Sequence, residues 1–452
     1  MAYKREHGAE QHYIPLGIFK LRLPFIHWRW EWPEALQGLI LCATCLGAIP
    51  VLTEYLGVSF EVALTMVIIN GALYMLHFLL GDPVVPGWIT PAVPLVMAFL
   101  TRYQIGPERT QAMIALQLLV AIMFLFFGST GMAAKMVRVI PNSIKAGVIL
   151  GAGISAIMNV MQVRFSNAPI VITMGTFVAF FILFSAGFKD MKDKYPLLNQ
   201  IGKYGMLPAI ILTLIVGPLV GELPVPQIEW GFAELRIAEL ISGYTVFGIG
   251  FPSLRMFVDA LPLMVAIYII AFGDFVLAET VLRNADENRK DEVLEFNPNR
   301  SNLISGIRNG ILALISPFTQ LAGPLWAAVT VSVSERYKGG RDGMDSYWGG
   351  VGSFRIATFI SVTLLPIVSL VQPALPVALA LTLTVQGFAC AYIALGMLNN
   401  NYERGVAGFM AVILALQGAA WGLGAGVLLW LCCEWKPRNA VKQEATPVQK
   451  AS

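Results

Sequence analysis

Long apolar runs separated by short polar stretches dominate the 452 residues. A helix crossing about 30 Å of hydrocarbon needs roughly 20 mostly apolar residues. Runs near 35–55, 61–80, 91–101, 110–128, 144–161, 168–187, 205–221, 258–282, 302–315, 324–334, 353–371, 375–397, 405–418 and 419–433 fit that pattern. They predict an all-α polytopic membrane protein with about 14 transmembrane segments. Two runs, 91–101 and 324–334, are too short to cross alone.

These two short runs follow similar stretches. The first is Gly81-Asp82-Pro83-Val84-Val85-Pro86-Gly87-Trp88-Ile89-Thr90-Pro91, the second Ser316-Pro317-Phe318-Thr319-Gln320-Leu321-Ala322-Gly323-Pro324. Prolines remove helix hydrogen bonds, and the β-branched and aromatic residues between them suit an extended strand. Short strands are therefore expected at 84–90 and 317–323, in interrupted segments 3 and 10. Pro94-Leu95-Val96-Met97-Ala98 resembles Pro324-Leu325-Trp326-Ala327-Ala328, and Val51-Leu52-Thr53-Glu54 resembles Val276-Leu277-Ala278-Glu279. Similar offsets of about half the chain point to a duplication. Seven spans per copy is an odd number, so the copies insert upside down, the 7+7 inverted repeat of secondary transporters. The chain then divides into an N-terminal segment (1–33), a first repeat (34–221), an extracytoplasmic loop (222–257), a second repeat (258–434) and a cytoplasmic tail (435–452). The helices after the two strands aim their N-termini at one point near the midplane, a place for a polar or anionic solute.

Composition agrees. The chain is 56% hydrophobic and 13% charged, with mean hydropathy +0.68, against roughly 25% charged residues in a soluble domain. A cytosolic enzyme, a nucleic-acid binder and a disordered chain are excluded. With the N-terminus inside, the spans place 26 of the 31 Lys and Arg on the cytoplasmic side, as the positive-inside rule requires. A multi-pass protein of the cell (inner) membrane with both termini cytoplasmic is expected. Residues 14–33 mix aromatics with Lys20, Arg22 and Arg29 and read as an interfacial amphipathic segment. Five cysteines, an odd number, are no disulfide framework. Cys42 and Cys45 read as packed apolar residues, and Cys432 and Cys433, at a helix end, are candidates for lipidation.

Buried acids are few. Asp274 and Glu279 lie in the eighth span, and Glu54 ends the first. An intramembrane carboxylate is a functional candidate, so Glu279 and Asp274 are the expected coupling groups. Five residues at about 100° put them about 140° apart, so they do not share one pocket. Gln37, Thr90, Thr319 and Gln320 offer hydrogen bonds to a solute, and Trp88, Phe318 and Trp326 offer stacking. His27 and His77 stand apart from other ligands; no metal or other cofactor is implied, and no catalytic constellation is present.

Leu36-Gln37 followed by Ile49-Pro50-Val51-Leu52 resembles the first span of uracil permeases, and Ala278-Glu279 resembles the Ala-Glu of their eighth span. Asn302-Leu303-Ile304-Ser305-Gly306-Ile307-Arg308-Asn309-Gly310 resembles the ninth span of nucleobase–ascorbate permeases and of sulfate-permease (SulP) carriers alike. The chain departs from the nucleobase pattern at Gly38, where a His is usual, and at Gly323-Pro324-Leu325, where a Glu or Gln followed by Asn is usual. The resemblance implies a uracil-permease-like fold of fourteen spans in a seven-plus-seven repeat. A core domain then moves against a gate domain, often in a homodimer. It implies a proton- or sodium-coupled secondary transporter of a small polar, nucleobase-like solute, held between the two strands with Glu279 as base-binding and proton-coupling group. The alternative is a SulP-like inorganic anion or carboxylate transporter or exchanger.

Overall fold

The computed structural model describes residues 5–133, 135, 139–195, 198, 201 and 206–434. Its main helices are α1 (Trp32–Leu46), α2 (Phe60–Leu73), α3 (Val93–Leu100), α4 (Pro107–Thr130), α5 (Asn142–Asn159), α6 (Pro169–Phe184), α7 (Leu207–Val220), α8 (Leu254–Asn288), α9 (Pro298–Ile315), α10 (Ala327–Lys338), α11 (Tyr347–Thr363), α12 (Leu375–Gly396), α13 (Asn401–Gln417) and α14 (Ala419–Cys433). Each coincides with one of the apolar runs of the sequence. Among the described residues, six helical stretches are long and apolar enough to cross a membrane: Trp32–Leu56, Phe60–Leu79, Pro107–Thr130, Asn142–Asn167, Leu254–Asn288 and Leu365–Gly396.

The helices gather into two groups. In one, α4 packs on α8 and α9, α1 on α11, and α10 on α8 and α11; in the other, α5 packs on α12 and α13, α13 on α14, and α6 on α7 and α12. A continuous apolar core runs from Cys42 to Ala419 and joins both groups. Cys42 and Cys45 are buried thiols within it, and Ser361 Oγ lies 3.0 Å from the Cys42 sulfur. Residues 222–257 are more than a loop. They carry the helix Ile237–Tyr244, and the Ala233 and Arg236 amides donate to Thr363 O on α11 and Thr65 Oγ1 on α2.

The N-terminal segment is folded onto the protein, yet it leaves Ile14, Leu16, Phe25, Ile26 and Arg29 exposed. Its strands β1 (Ala9–Glu10), β2 (Ile14–Leu16) and β3 (Phe19–Leu21) fold onto the protein. β2 and β3 form a hairpin, and β1 pairs in parallel with β5 (Glu292–Val293), which follows α8. The strand between them in chain order, β4, belongs to the site described below. Lys20 and Arg22 do not reach outward. Arg22 is fully buried and bonds Glu10 at 2.6 Å, and Lys20 bonds Glu10 and Glu295. A charged side chain with a carboxylate at hand gains more from that pair than from a headgroup region beside it.

A neighbouring ion-pair cluster is built on Asp291, which accepts from Arg5 at 2.8 Å and from Nε and Nη2 of Arg289. These bonds, with that from Arg289 the largest cause, hold its carboxyl down to about 2. A lowered carboxylate contributes stability that is complete above the unfolded value near 4 and is lost as pH falls toward about 2. Asp291→Asn leaves two buried arginines without their shared acid, and a loss of about 2 kcal/mol is expected. The thermal-unfolding midpoint between pH 7 and 3 checks this. The native chain should lose stability below pH 4, and the variant should start lower and lose less.

Candidate functional site

Two breaks in helical structure meet at one place. After α2 and the turn Met75–Leu79, Pro83 and Pro86 keep the chain extended into β4 (Gly87–Trp88). A single 3₁₀ turn, Thr90–Ala92, then leads into α3. After α9, Pro317 does the same, and the chain reaches β6 (Ala322–Gly323) and then α10. β4 and β6 pair antiparallel, Gly87 opposite Gly323 and Trp88 opposite Ala322. The Ile89 amide donates to Leu321 O at 3.2 Å and the Trp326 amide to Val85 O at 2.6 Å. The expected strands 84–90 and 317–323 therefore cross, but the ladder is narrower than the sequence reading. Proline lacks the N–H a longer ladder needs, and residues 318–320 are engaged elsewhere.

Backbone outside helices is tolerated at membrane depth only when protein satisfies it. Three side chains do so here. Asn309 on α9 accepts from the Ala322 amide at 2.9 Å and donates to the Ala322 carbonyl at 2.8 Å. Gln117 on α4 accepts from the Phe318 amide at 3.0 Å. Arg308, fully buried, donates to the Gly323 carbonyl at 3.3 Å. Arg308 also meets His77 Nε2 at 3.1 Å, while His77 Nδ1 bonds Asp82 at 2.8 Å. His77 is thus not isolated, and its partners are an arginine and an acid rather than metal ligands. No group of three metal-ligating side chains occurs among the described residues.

Of the expected solute-binding residues, the structure brings together Trp88, Phe318, Thr319 and Gln320, with Thr90 one residue beyond the pairing. The Trp88 and Phe318 ring centroids are 6.1 Å apart. Thr319 Oγ1 donates to Gln320 Oε1 at 2.8 Å, and Gln320 Nε2 to Ala48 O at 3.4 Å. The α10 N-terminus has no side-chain cap, so its first amides keep donors for a solute, whereas α3 opens on Val93, whose amide donates to Thr90 O, and on Pro94, which has no N–H.

Three expected residues lie elsewhere. Glu279 sits on an outer face of α8 with its side chain 46% exposed, paired at 2.6 Å with Arg283 one turn on. An exposed carboxylate beside a cation gains nothing from the crossing. Asp274 is on the same helix. Gln37 on α1 donates to Ser332 on α10 at 3.4 Å. Glu54 is bound by both arms of Arg164, at 3.1 and 2.7 Å.

That ion pair lies in a cavity of about 670 Å³, lined also by Tyr55, Arg109 and Glu222 at the ends of α1, α4 and α7. Glu222 accepts from the Ile170 and Val171 amides at the start of α6. Arg109 bonds only carbonyl oxygens, those of Tyr55 and Tyr103. Its charge is the one in this lining without an acid bound to it.

No protein-family model matches the chain, and no curated protein matches it in sequence. Solved structures do match in fold. The transmembrane domain of a cyanobacterium bicarbonate transporter, BicA, matches with a TM-score of 0.55 at 14% identity, over 87% of this chain and 96% of that one. The overall structure of SLC26A9 matches with a TM-score of 0.57 at 14% identity, over 89% of this chain and 65% of that one. The murine SLC26A9 anion transporter in its inward-facing state matches with a TM-score of 0.52 at 12% identity, over 92% and 69%. The fold is that of SLC26 transmembrane domains. At this identity the likeness is one of architecture.

Proposed function

We propose that the protein is a secondary transporter of a small anion, the alternative that the sequence left open beside a nucleobase carrier. The observation that carries this reading is the charge of the crossing. A buried guanidinium, Arg308, touches the Gly323 carbonyl, the uncapped N-terminus of α10 starts beside the strands, and the acid expected there, Glu279, lies outside. Helix N-termini and arginine favour negative charge. That BicA carries bicarbonate and SLC26A9 is an anion transporter, by their descriptions, supports the same class.

Under this reading the first helix group, with the crossing, moves as an elevator against the second. The finer sequence expectations belong to the same proposal: fourteen spans in a 7+7 inverted repeat, a homodimer, a cell-membrane location with cytoplasmic termini, and coupling to H⁺ or Na⁺. Trp88 and Phe318, with Thr90, Thr319 and Gln320, line the solute's place. Asp274 stays a coupling candidate as a carboxylate within an apolar span.

Uptake by proteoliposomes tests the reading. Saturable uptake of labelled bicarbonate, sulfate, chloride or a small dicarboxylate, with unlabelled anions competing, is expected. The ring pair is the feature that suits a flat solute. Uptake of uracil or xanthine that no anion reduces would therefore restore the nucleobase reading and overturn this one.

A further inference from the structure

Behind the crossing lies a second cationic place. Arg355 on α11 is fully buried, and its Nε, Nη1 and Nη2 have no hydrogen-bond partner. It lines a cavity of about 10 Å³ together with Cys45, Asn70, Tyr74 and Thr358, between α1, α2 and α11. The guanidinium carbon is 4.0 Å from the Tyr74 ring centroid and 5.2 Å from that of Trp326. Arg308 lies over the same Tyr74 ring at 4.4 Å.

The charges do not balance. Two guanidiniums, always protonated, face one carboxylate, Asp82, which is bound to His77. The ionisable groups that act on Arg355 are Tyr74 and Cys45, both neutral at ordinary pH. A buried ion without a partner is costly, and a desolvated cation–π contact offsets only part of that cost. The missing element is one negative charge that accepts hydrogen bonds from a guanidinium. A space of this size takes a single water-sized occupant, which excludes sulfate, a dicarboxylate or a nucleobase.

We infer that this cavity is a resident site for one small monovalent anion of halide size, held by Arg355 over the Tyr74 ring. The site goes beyond the proposed transport function, because it does not depend on which solute crosses. The anion neutralises the Arg308–Arg355 pair and so steadies the arginine that holds the Gly323 carbonyl.

The test uses the purified full chain in detergent at constant ionic strength, with sodium gluconate replaced stepwise by chloride or bromide. The thermal-unfolding midpoint is expected to rise by several degrees and to saturate. In Arg355→Gln, which removes the charge, the midpoint should no longer respond to halide. Crystals grown in bromide are expected to show an anomalous peak beside Arg355, which settles the matter if the variant does not fold. Equal midpoints in gluconate and chloride, a halide response that persists in Arg355→Gln, or no bromide beside Arg355 would each overturn the inference. Failure to transport any anion would sink the proposed function and leave this site standing, because the halide response needs no transport.

Discussion

Gly323→Ala is expected to stop transport while the protein still inserts and purifies. Gly87 and Gly323 face each other across the two-residue ladder, where the strand backbones come closest. A Cβ on Gly323 would stand 2.8 Å from the Trp88 carbonyl carbon, 2.9 Å from the Ile89 nitrogen and 3.0 Å from the Trp88 oxygen. All three are backbone atoms, so no side chain can swing aside. The strands must part, and overpacking of this kind costs roughly 1–3 kcal/mol. A ladder this short has no neighbouring rungs to hold it, so both strands and the helices that follow them shift. A loss of at least tenfold in the initial uptake rate is expected, equivalent to about 1.4 kcal/mol. Gly310→Ala is the control. There the added carbon meets only the Ala121 Cβ, at 3.8 Å, and uptake should stay within twofold of the native rate. Equal rates for both variants would show that the crossing is not the place where solute is held.

Asn309→Ala is expected to have the largest effect on stability. This one side chain satisfies both the N–H and the C=O of Ala322. Removing it strands a buried donor and a buried acceptor where no water reaches, at about 1–3 kcal/mol each. A fall in the unfolding midpoint of the purified protein and a loss of uptake should go together. Asn309→Asp separates the two bonds, since the carboxylate still accepts from the Ala322 amide but no longer donates to its carbonyl. It also sets a negative charge beside the proposed anion place and against the Ala322 carbonyl oxygen, so the variant should transport as poorly as Asn309→Ala. Native uptake by Asn309→Asp would remove the electrostatic part of the functional proposal.

The crossing was legible because its cause is local. Pro83, Pro86 and Pro317 each remove a helix hydrogen bond, and the same kind of stretch recurs half a chain apart. What held the strands in place was not legible. Asn309 and Gln117 are single amides in apolar runs, with nothing in the sequence to show which backbone atoms they would reach. Arg308 and Arg355 stand near the ends of apolar runs and were counted among the flanking cytoplasmic charges. The structure instead starts α9 at Pro298 and α11 at Tyr347, which carries both arginines inward. An arginine within an apolar run was the available signal. For Glu279, helix periodicity sets it about 140° from Asp274 but does not say which face meets the neighbouring helices.

The antiparallel pairing of β4 with β6 also has a consequence for how the chain is made. Gly87 and Trp88 find their partners only when the ribosome has added about 235 more residues. At roughly 5–20 residues per second this takes on the order of tens of seconds. Throughout that interval the first half of the protein holds an unpaired strand and has no Arg308 or Asn309 to complete its neighbourhood. A chain stalled between Trp88 and Ala322 therefore carries an open edge that invites pairing with the wrong partner. The half-made protein is the species most in need of protection by the insertion machinery.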